Sequence, residues 1–207
     1  MSDSGRAPAN DDALTLGVLV FEDAEELDVV GPWEVLGFWA AHIASRPVRV
    51  LTVGQSAGVV RCAKGLGLVA DHELATAPPL DLLVHPGGDG TRALAKDGPH
   101  LAWLRELHQQ GTVLASVCTG SLVLAAAGLL TGRPATTHRG YLDKLAKIDP
   151  TIDVRAGQWY VDDGDIITSA GVSAGIDMAL HLVHRLDGAE ASEQTRDGIQ
   201  YEVRGTG

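Results

Sequence analysis

The sequence predicts a doubly wound α/β domain with a mostly parallel central sheet. Three observations carry that prediction. Apolar, β-branched runs such as Leu14–Phe21 and Thr112–Val117 read as central parallel strands, which helices cover on both faces. Helical patterns separate the runs, the alternation expected of βαβ units. At Val117–Ser121 a strand pattern then passes into a helix pattern with only Cys118-Thr119-Gly120 between them. That switch places the turn residue at the carboxyl edge of the sheet, facing a crevice.

In chain order, residues 1–13 are polar and acidic and read as a disordered leader, with residues 14–207 as one domain. Leu14–Phe21 is the first strand, followed by an acidic turn over Glu22–Asp28. Gly31-Pro32 opens a helix with proline in its first turn, and Leu36, Trp39, Ala40 and Ile43 supply a core stripe. Pro47–Gly54 is the second strand, and the glycine-interrupted Val59–Ala70 reads as a short hairpin or edge excursion. Leu80–His85 is the third strand and runs into Pro86-Gly87-Gly88. Pro99–Gln110 is an amphipathic helix through Leu101, Leu104 and Leu107, closed by Gly111.

The strand Thr112–Val117 and the helix Ser121–Ala127, ending at Gly128, come next. Pro134–His138 is a short strand into a loop. Gln158–Val161 and Asp165–Ser169 flank Asp162-Asp163-Gly164 as a hairpin. Ser173 is placed to cap a long helix with Ile176, Ala179, Leu180 and Val183 inward, and residues 189–203 read as a further helix.

Bulk composition narrows the function classes. Hydrophobic residues make up 45% of the 207, an ordinary globular balance. A net charge of −11 argues against nucleic acid as a partner. No apolar run reaches the ~18 residues of a membrane span, and the start of the chain lacks a signal-peptide pattern, so a cytoplasmic location without membrane contact is expected. The two cysteines, Cys62 and Cys118, form no metal-type spacing; neither a metal nor an organic cofactor is expected, and Cys62 reads as structural.

Cys118 is the candidate nucleophile. A cysteine at a strand-to-helix turn faces helix amides and a dipole that favour its thiolate, so a lowered pKa is expected; the alternative is an inert buried cysteine. Asp28 is the one acid of its turn in an apolar setting, between Leu27 and Val29-Val30, and follows the first strand to the same sheet edge. An acid beside a thiolate should have a raised pKa and hold a proton to deliver. Gly87 and Gly88 follow a strand, so their amides can face the crevice, although Pro-Gly-Gly alone is commonly a turn. His138 lies 20 residues beyond Cys118 (138 − 118).

These residues resemble the ThiJ/PfpI superfamily. The resemblance is carried by Val20-Phe21 with Leu27-Asp28 and Gly31-Pro32, by His85-Pro86-Gly87-Gly88, and by Ser116-Val117-Cys118-Thr119-Gly120-Ser121. Ala127–Arg133, Ala135–His138 and Ser173–Asp177 extend it across nearly the whole chain. It implies a flavodoxin-like three-layer sandwich with a nucleophile elbow, and its wording is closest to isonitrile hydratases and to the amidase-like sensor domain of AraC-type regulators. It also implies that Asp28 meets Cys118, that the Gly88 and Thr119 amides form an oxyanion-hole-like pair, and that the Thr119 hydroxyl is offered to substrate or water.

Under the same resemblance His138 stands either as base or thiolate stabiliser, or as a structural loop residue. Thr119 replaces the histidine that follows the nucleophile in the peptidase branch, which puts protease activity in doubt. The implied reaction is hydration of an isonitrile to an N-substituted formamide, with a small electrophilic molecule as ligand. The alternatives are a small-molecule or redox-sensing module and a glyoxalase-like activity. A homodimer is implied, with the first helix and its tryptophans near the interface.

Overall fold

The computed structural model describes residues 13–56 and 58–202, so of the leader expected over 1–13 only Ala13 falls within the described residues. The first half of the chain forms β1 (Leu14–Val20), α1 (Glu26–His42), β2 (Val48–Gly54), β3 (Val59–Arg61), β4 (Gly67–Val69), β5 (His72–Glu73) and β6 (Leu82–His85). The short α2 (Thr91–Leu94) follows, then α3 (Gly98–Gln109), β7 (Val113–Ser116), α4 (Gly120–Ala126) and β8 (Pro134–Ala135). The last part forms α5 (Leu142–Ile148), β9 (Asp153–Val154), β10 (Tyr160–Asp162), β11 (Ile166–Ser169) and α6 (Ala174–Gly198).

Seven strands make one sheet in the order β10-β11-β7-β6-β1-β2-β5, parallel throughout except for the β10–β11 hairpin. This is the flavodoxin-like α/β arrangement expected. Every residue of β1 and β6 is buried, as central parallel strands require. The β3–β4 hairpin stands outside that sheet, Val59 opposite Val69. From β1 the chain crosses to β2 in one direction, and from β6 to β7 and β11 in the other. Right-handed crossovers then send α1 to one face and α3 and α4 to the opposite one. The reversal leaves a crevice beyond the carboxyl ends of β1, β6 and β7.

Two helices differ from the sequence expectation. α1 begins at Glu26, not at Gly31-Pro32, so the end of the expected acidic turn, Glu26–Asp28, is its first turn. Glu26 and Asp28 complement the positive helix end there. The proline is carried inside, at the cost of one backbone bond to the Asp28 carbonyl. Ser173 makes no side-chain capping bond, because its own backbone is already helical (φ −66°, ψ −21°). Gly188 (φ 90°) breaks α6, and the segment beyond it ends at Gly198, short of the expected residue 203, which lies outside the described residues.

α1 packs on α6 so closely that a Cβ on Gly31 would stand 3.1 Å from Ile176. Trp39 is fully buried in this contact and its indole N–H donates to Asp187 Oδ2 at 2.9 Å. It is therefore core packing within this chain. Among the described residues no helix is long and apolar enough to cross a membrane, and Cys62 and Cys118 are both free thiols.

Candidate active site

The loops after β1, β6 and β7 converge on Cys118. The residue adopts φ +57°, the left-handed conformation that costs an L-residue roughly 1–2 kcal/mol. Its backbone is pinned on both sides. The Cys118 N–H donates to the Ser169 and Ala170 carbonyls at 3.2 and 3.1 Å, and its carbonyl accepts from the Thr137 hydroxyl at 2.9 Å and the Ser121 hydroxyl at 3.2 Å. The strained turn is thus held by four hydrogen bonds, a nucleophile elbow as expected. Two residues on, the chain packs without clearance: a Cβ on Gly120 would lie 2.3 Å from the His85 carbonyl oxygen.

Asp28 comes to the cysteine from the first turn of α1 and is wholly buried. Its Oδ2 accepts the Gly87 N–H at 2.9 Å, while Oδ1 is buried without a hydrogen-bond partner of good geometry. Gly87 is where carboxyl, sulfur and backbone crowd together. A Cβ there would stand 2.6 Å from the Thr119 nitrogen, 2.8 Å from Asp28 Oδ2 and 2.8 Å from Cys118 Cβ. Only glycine fits.

Burial pushes the Asp28 carboxyl up to about 7. The Gly87 N–H opposes that rise, the charge of Glu25 adds to it, and the Cys118 side chain and the Lys64 ammonium pull it back. Lys64 reaches this region through its ion pair with Glu25, Nζ to Oε1 2.5 Å.

The Cys118 thiol departs from the sequence expectation. It is pushed up to about 12, first by burial and then by the Asp28 charge. The Thr119 and Val172 amides and the Thr119 hydroxyl act in the opposite direction. The predicted lowering relied on helix amides and a dipole, but the following helix is only seven residues long and the cysteine is 6% exposed. Desolvation beside a carboxylate wins over a weak dipole. At neutral pH the pair therefore rests as a thiol beside a carboxyl that is part-time protonated.

The expected oxyanion pair is only half present. The Gly88 N–H is already taken by the Thr119 hydroxyl, at 3.0 Å, and that hydroxyl also meets Thr91 Oγ1 at 3.1 Å. Thr119 therefore braces the Gly88 loop instead of offering its hydroxyl freely. The groups aimed at the sulfur are the Thr119 and Val172 amides, with the Thr119 hydroxyl beside them. Sequence reading missed Val172, a β-branched residue at φ +51°, and no motif flags it. Thr137 was quoted in the motif but given no role, and it proves to hold the Cys118 carbonyl.

Cys118 opens on a cavity of about 260 Å³ lined also by Gly88, Thr119, Leu122, His138 and Val172. His138 shares the cavity but makes no hydrogen bond to the cysteine. Its Nδ1 accepts the Gly140 N–H at 3.1 Å, its ring packs edge-on against Tyr141, and Gly171 lies against it. The wall position is observed, and the base role has no direct contact to support it. A second cavity of about 430 Å³, with Leu142 and Trp159 in its lining, adjoins the first at His138 and Val172. Among the described residues no group of three or more His, Cys, Asp or Glu side chains could hold a metal ion.

Comparison with known proteins gives one consistent picture. The sequence model described as DJ-1/PfpI family matches residues 15–185. The chain is 38% identical over 191 residues to isonitrile hydratase of Pseudomonas putida, covering 91% of this chain and 79% of that one. It is 37% identical over 142 residues to the HTH-type transcriptional regulator CdhR of Pseudomonas aeruginosa, covering 68% of this chain and 41% of the regulator. The crystal structure of a THiJ/PfpI family protein from Pseudomonas syringae superposes with a TM-score of 0.83 at 31% identity, over 100% of this chain and 84% of that one.

Proposed function

Because this chain belongs to the DJ-1/PfpI family, we propose that it is a cysteine-dependent hydro-lyase converting an isonitrile and water into an N-substituted formamide. The observation that carries the reading is the buried contact of the Cys118 thiol with the Asp28 carboxyl, neither of which ionises readily. The terminal carbon of an isonitrile must gain a proton and a soft nucleophile at the same centre. A thiol and a carboxyl sharing protons deliver both without a free thiolate.

In this reading the thiol hydrogen reaches the isonitrile carbon by way of Asp28 as the sulfur bonds to that carbon. R–NC and H–S thereby give the thioimidate R–N=CH–S–Cys118, and Asp28 ends as it began. Water then adds to the same carbon as Asp28 takes a proton from the water and passes it to the nitrogen, giving R–NH–CH(OH)–S–Cys118. Collapse expels the sulfur, which recovers its hydrogen, and releases R–NH–CHO. The Thr119 and Val172 amides stabilise charge at the sulfur in both steps, and the adjoining cavity gives the substituent room.

The resemblance to regulators keeps a sensing role as a second reading, but a buried thiol held well above the usual range is a poor target for peroxide. Homodimer formation remains part of the proposal, tested by sedimentation. The decisive assay is formamide production from an alkyl or aryl isonitrile. Wild type should turn over, and Cys118→Ala should lose roughly 10⁴-fold while keeping its fold; comparable rates for the two would reject the reading.

A further inference from the structure

Two histidines outside the cavity form a buried pair that the chemistry above leaves unused. His85, the last residue of β6, and His100, in α3, are 1% and 2% exposed, and their Nε2 atoms lie 3.1 Å apart. His85 Nδ1 is 2.8 Å from the Pro86 carbonyl oxygen. That oxygen can only accept, so Nδ1 carries the hydrogen. A neutral His85 then has a bare Nε2, and His100 must donate to it from its own Nε2–H. His100 Nδ1 is left as a bare acceptor, and it is in fact the buried ring atom without a partner. Burial holds both rings neutral: His85 is pushed down to about 3, with the His100 ring adding to the effect, and His100 to about 4 against the opposing charge of Asp97.

The Pro86 carbonyl belongs to the same peptide unit as the Gly87 N–H, and that N–H is the donor to Asp28 Oδ2 at 2.9 Å. We propose that His85 and His100 are a positioning pair that locks the Pro86–Gly87 peptide with its N–H aimed at Asp28. The chain of donors runs His100 Nε2–H, His85 Nδ1–H, Gly87 N–H, carboxyl, and each bond polarises the next. Gly87 has no side chain to resist rotation of that peptide, so without His85 the carbonyl is free to turn toward the carboxyl. The inference rests on the reading of Asp28 as the proton partner of Cys118. The titratable groups facing Asp28 are the neutral Cys118 thiol and the charged Glu25 and Lys64. Those packed on the pair are Asp97 and the uncharged rings of Phe21 and Trp103.

The test is the pH dependence of Cys118 alkylation by iodoacetamide, followed by peptide mass, in which Asp28 appears as an inflection near pH 7. His85→Phe should move that inflection to higher pH by about half a unit, because a weakened Gly87 donor disfavours the carboxylate. His85→Asn, whose amide nitrogen can replace Nδ1, should restore it. An unmoved inflection in folded His85→Phe, or an equal shift in His85→Asn, overturns the proposal. Should His85→Phe not fold, His100→Phe takes its place: a smaller shift in the same direction supports the chain of donors, and none overturns it. No isonitrile enters the assay, so failure of the proposed reaction would leave this result readable.

Discussion

Asp28→Asn should separate stability from function. Asp28 is wholly buried and its carboxyl stands at about 7, against 3.8 for the exposed group. Between those values the unfolded chain has released the proton and the folded chain has not, so wild type loses stability as pH rises from about 4 to 7. Below about 4 both states are protonated and the penalty vanishes. At about 1.4 kcal/mol per pH unit, the interval amounts to about 4 kcal/mol. Asparagine keeps an oxygen to accept the Gly87 N–H but does not titrate. Whatever the fixed offset between the two proteins, the unfolding free energy of Asp28→Asn minus that of wild type should be about 4 kcal/mol larger at pH 8 than at pH 3. Urea unfolding across that range measures the difference directly. The same variant should lose formamide production. A difference that stays flat with pH, or falls as pH rises, would show that Asp28 ionises normally and would refute the buried-acid reasoning.

Three further outcomes follow from local geometry. Gly87→Ala places a methyl 2.6 Å from the Thr119 nitrogen and should cost about 1–3 kcal/mol in thermal or urea unfolding, with turnover lost as the carboxyl and sulfur separate. Thr137→Val removes the hydroxyl at 2.9 Å from the Cys118 carbonyl, leaving that oxygen with Ser121 alone. A loss of about 1–2 kcal/mol and slower Cys118 alkylation are expected, and unchanged values would show the elbow needs no such brace. Asp187→Ala removes the acceptor of Trp39 Nε1 and of the Ser45 hydroxyl and amide, with an expected cost of about 1–2 kcal/mol near neutrality. These bonds hold the Asp187 carboxyl below the usual carboxylate range. The stability it contributes is therefore present above the unfolded pKa of 3.8 and lost as pH falls through the lower folded value, so the variant and wild type should converge in strong acid.

Most of the sheet was legible in the sequence because buried parallel strands are continuous apolar runs, and the elbow was legible because strand periodicity changes to helix periodicity at Cys118. The start of α1 was misread because Gly31-Pro32 is a strong punctuation signal locally, while burial of Val29, Val35 and Leu36 against the sheet and α6 overrides it. The inward stripe of α3 was read through Leu101, Leu104 and Leu107. The structure buries His100 alongside Leu104 and Leu107 and leaves Leu101 only partly covered, a difference that hydrophobic periodicity cannot register for a histidine. At the site, Cys118, Asp28, Gly87 and Thr119 come together as expected. The sign of the thiol shift was wrong because chain position reveals the helix amides but not the depth of burial. The role of the Gly88 amide was obscured for a related reason: only the fold shows that the Thr119 hydroxyl has already claimed it.

The central claim is that Cys118 bonds to substrate carbon while Asp28 handles the proton. Intact-protein mass after rapid acid quench during turnover of a simple isonitrile tests it most directly. The account predicts a species heavier than the protein by the full mass of the isonitrile, mapped to Cys118 and absent from Cys118→Ala. Formamide production by Cys118→Ala at the wild-type rate, with no adduct on either protein, would contradict it.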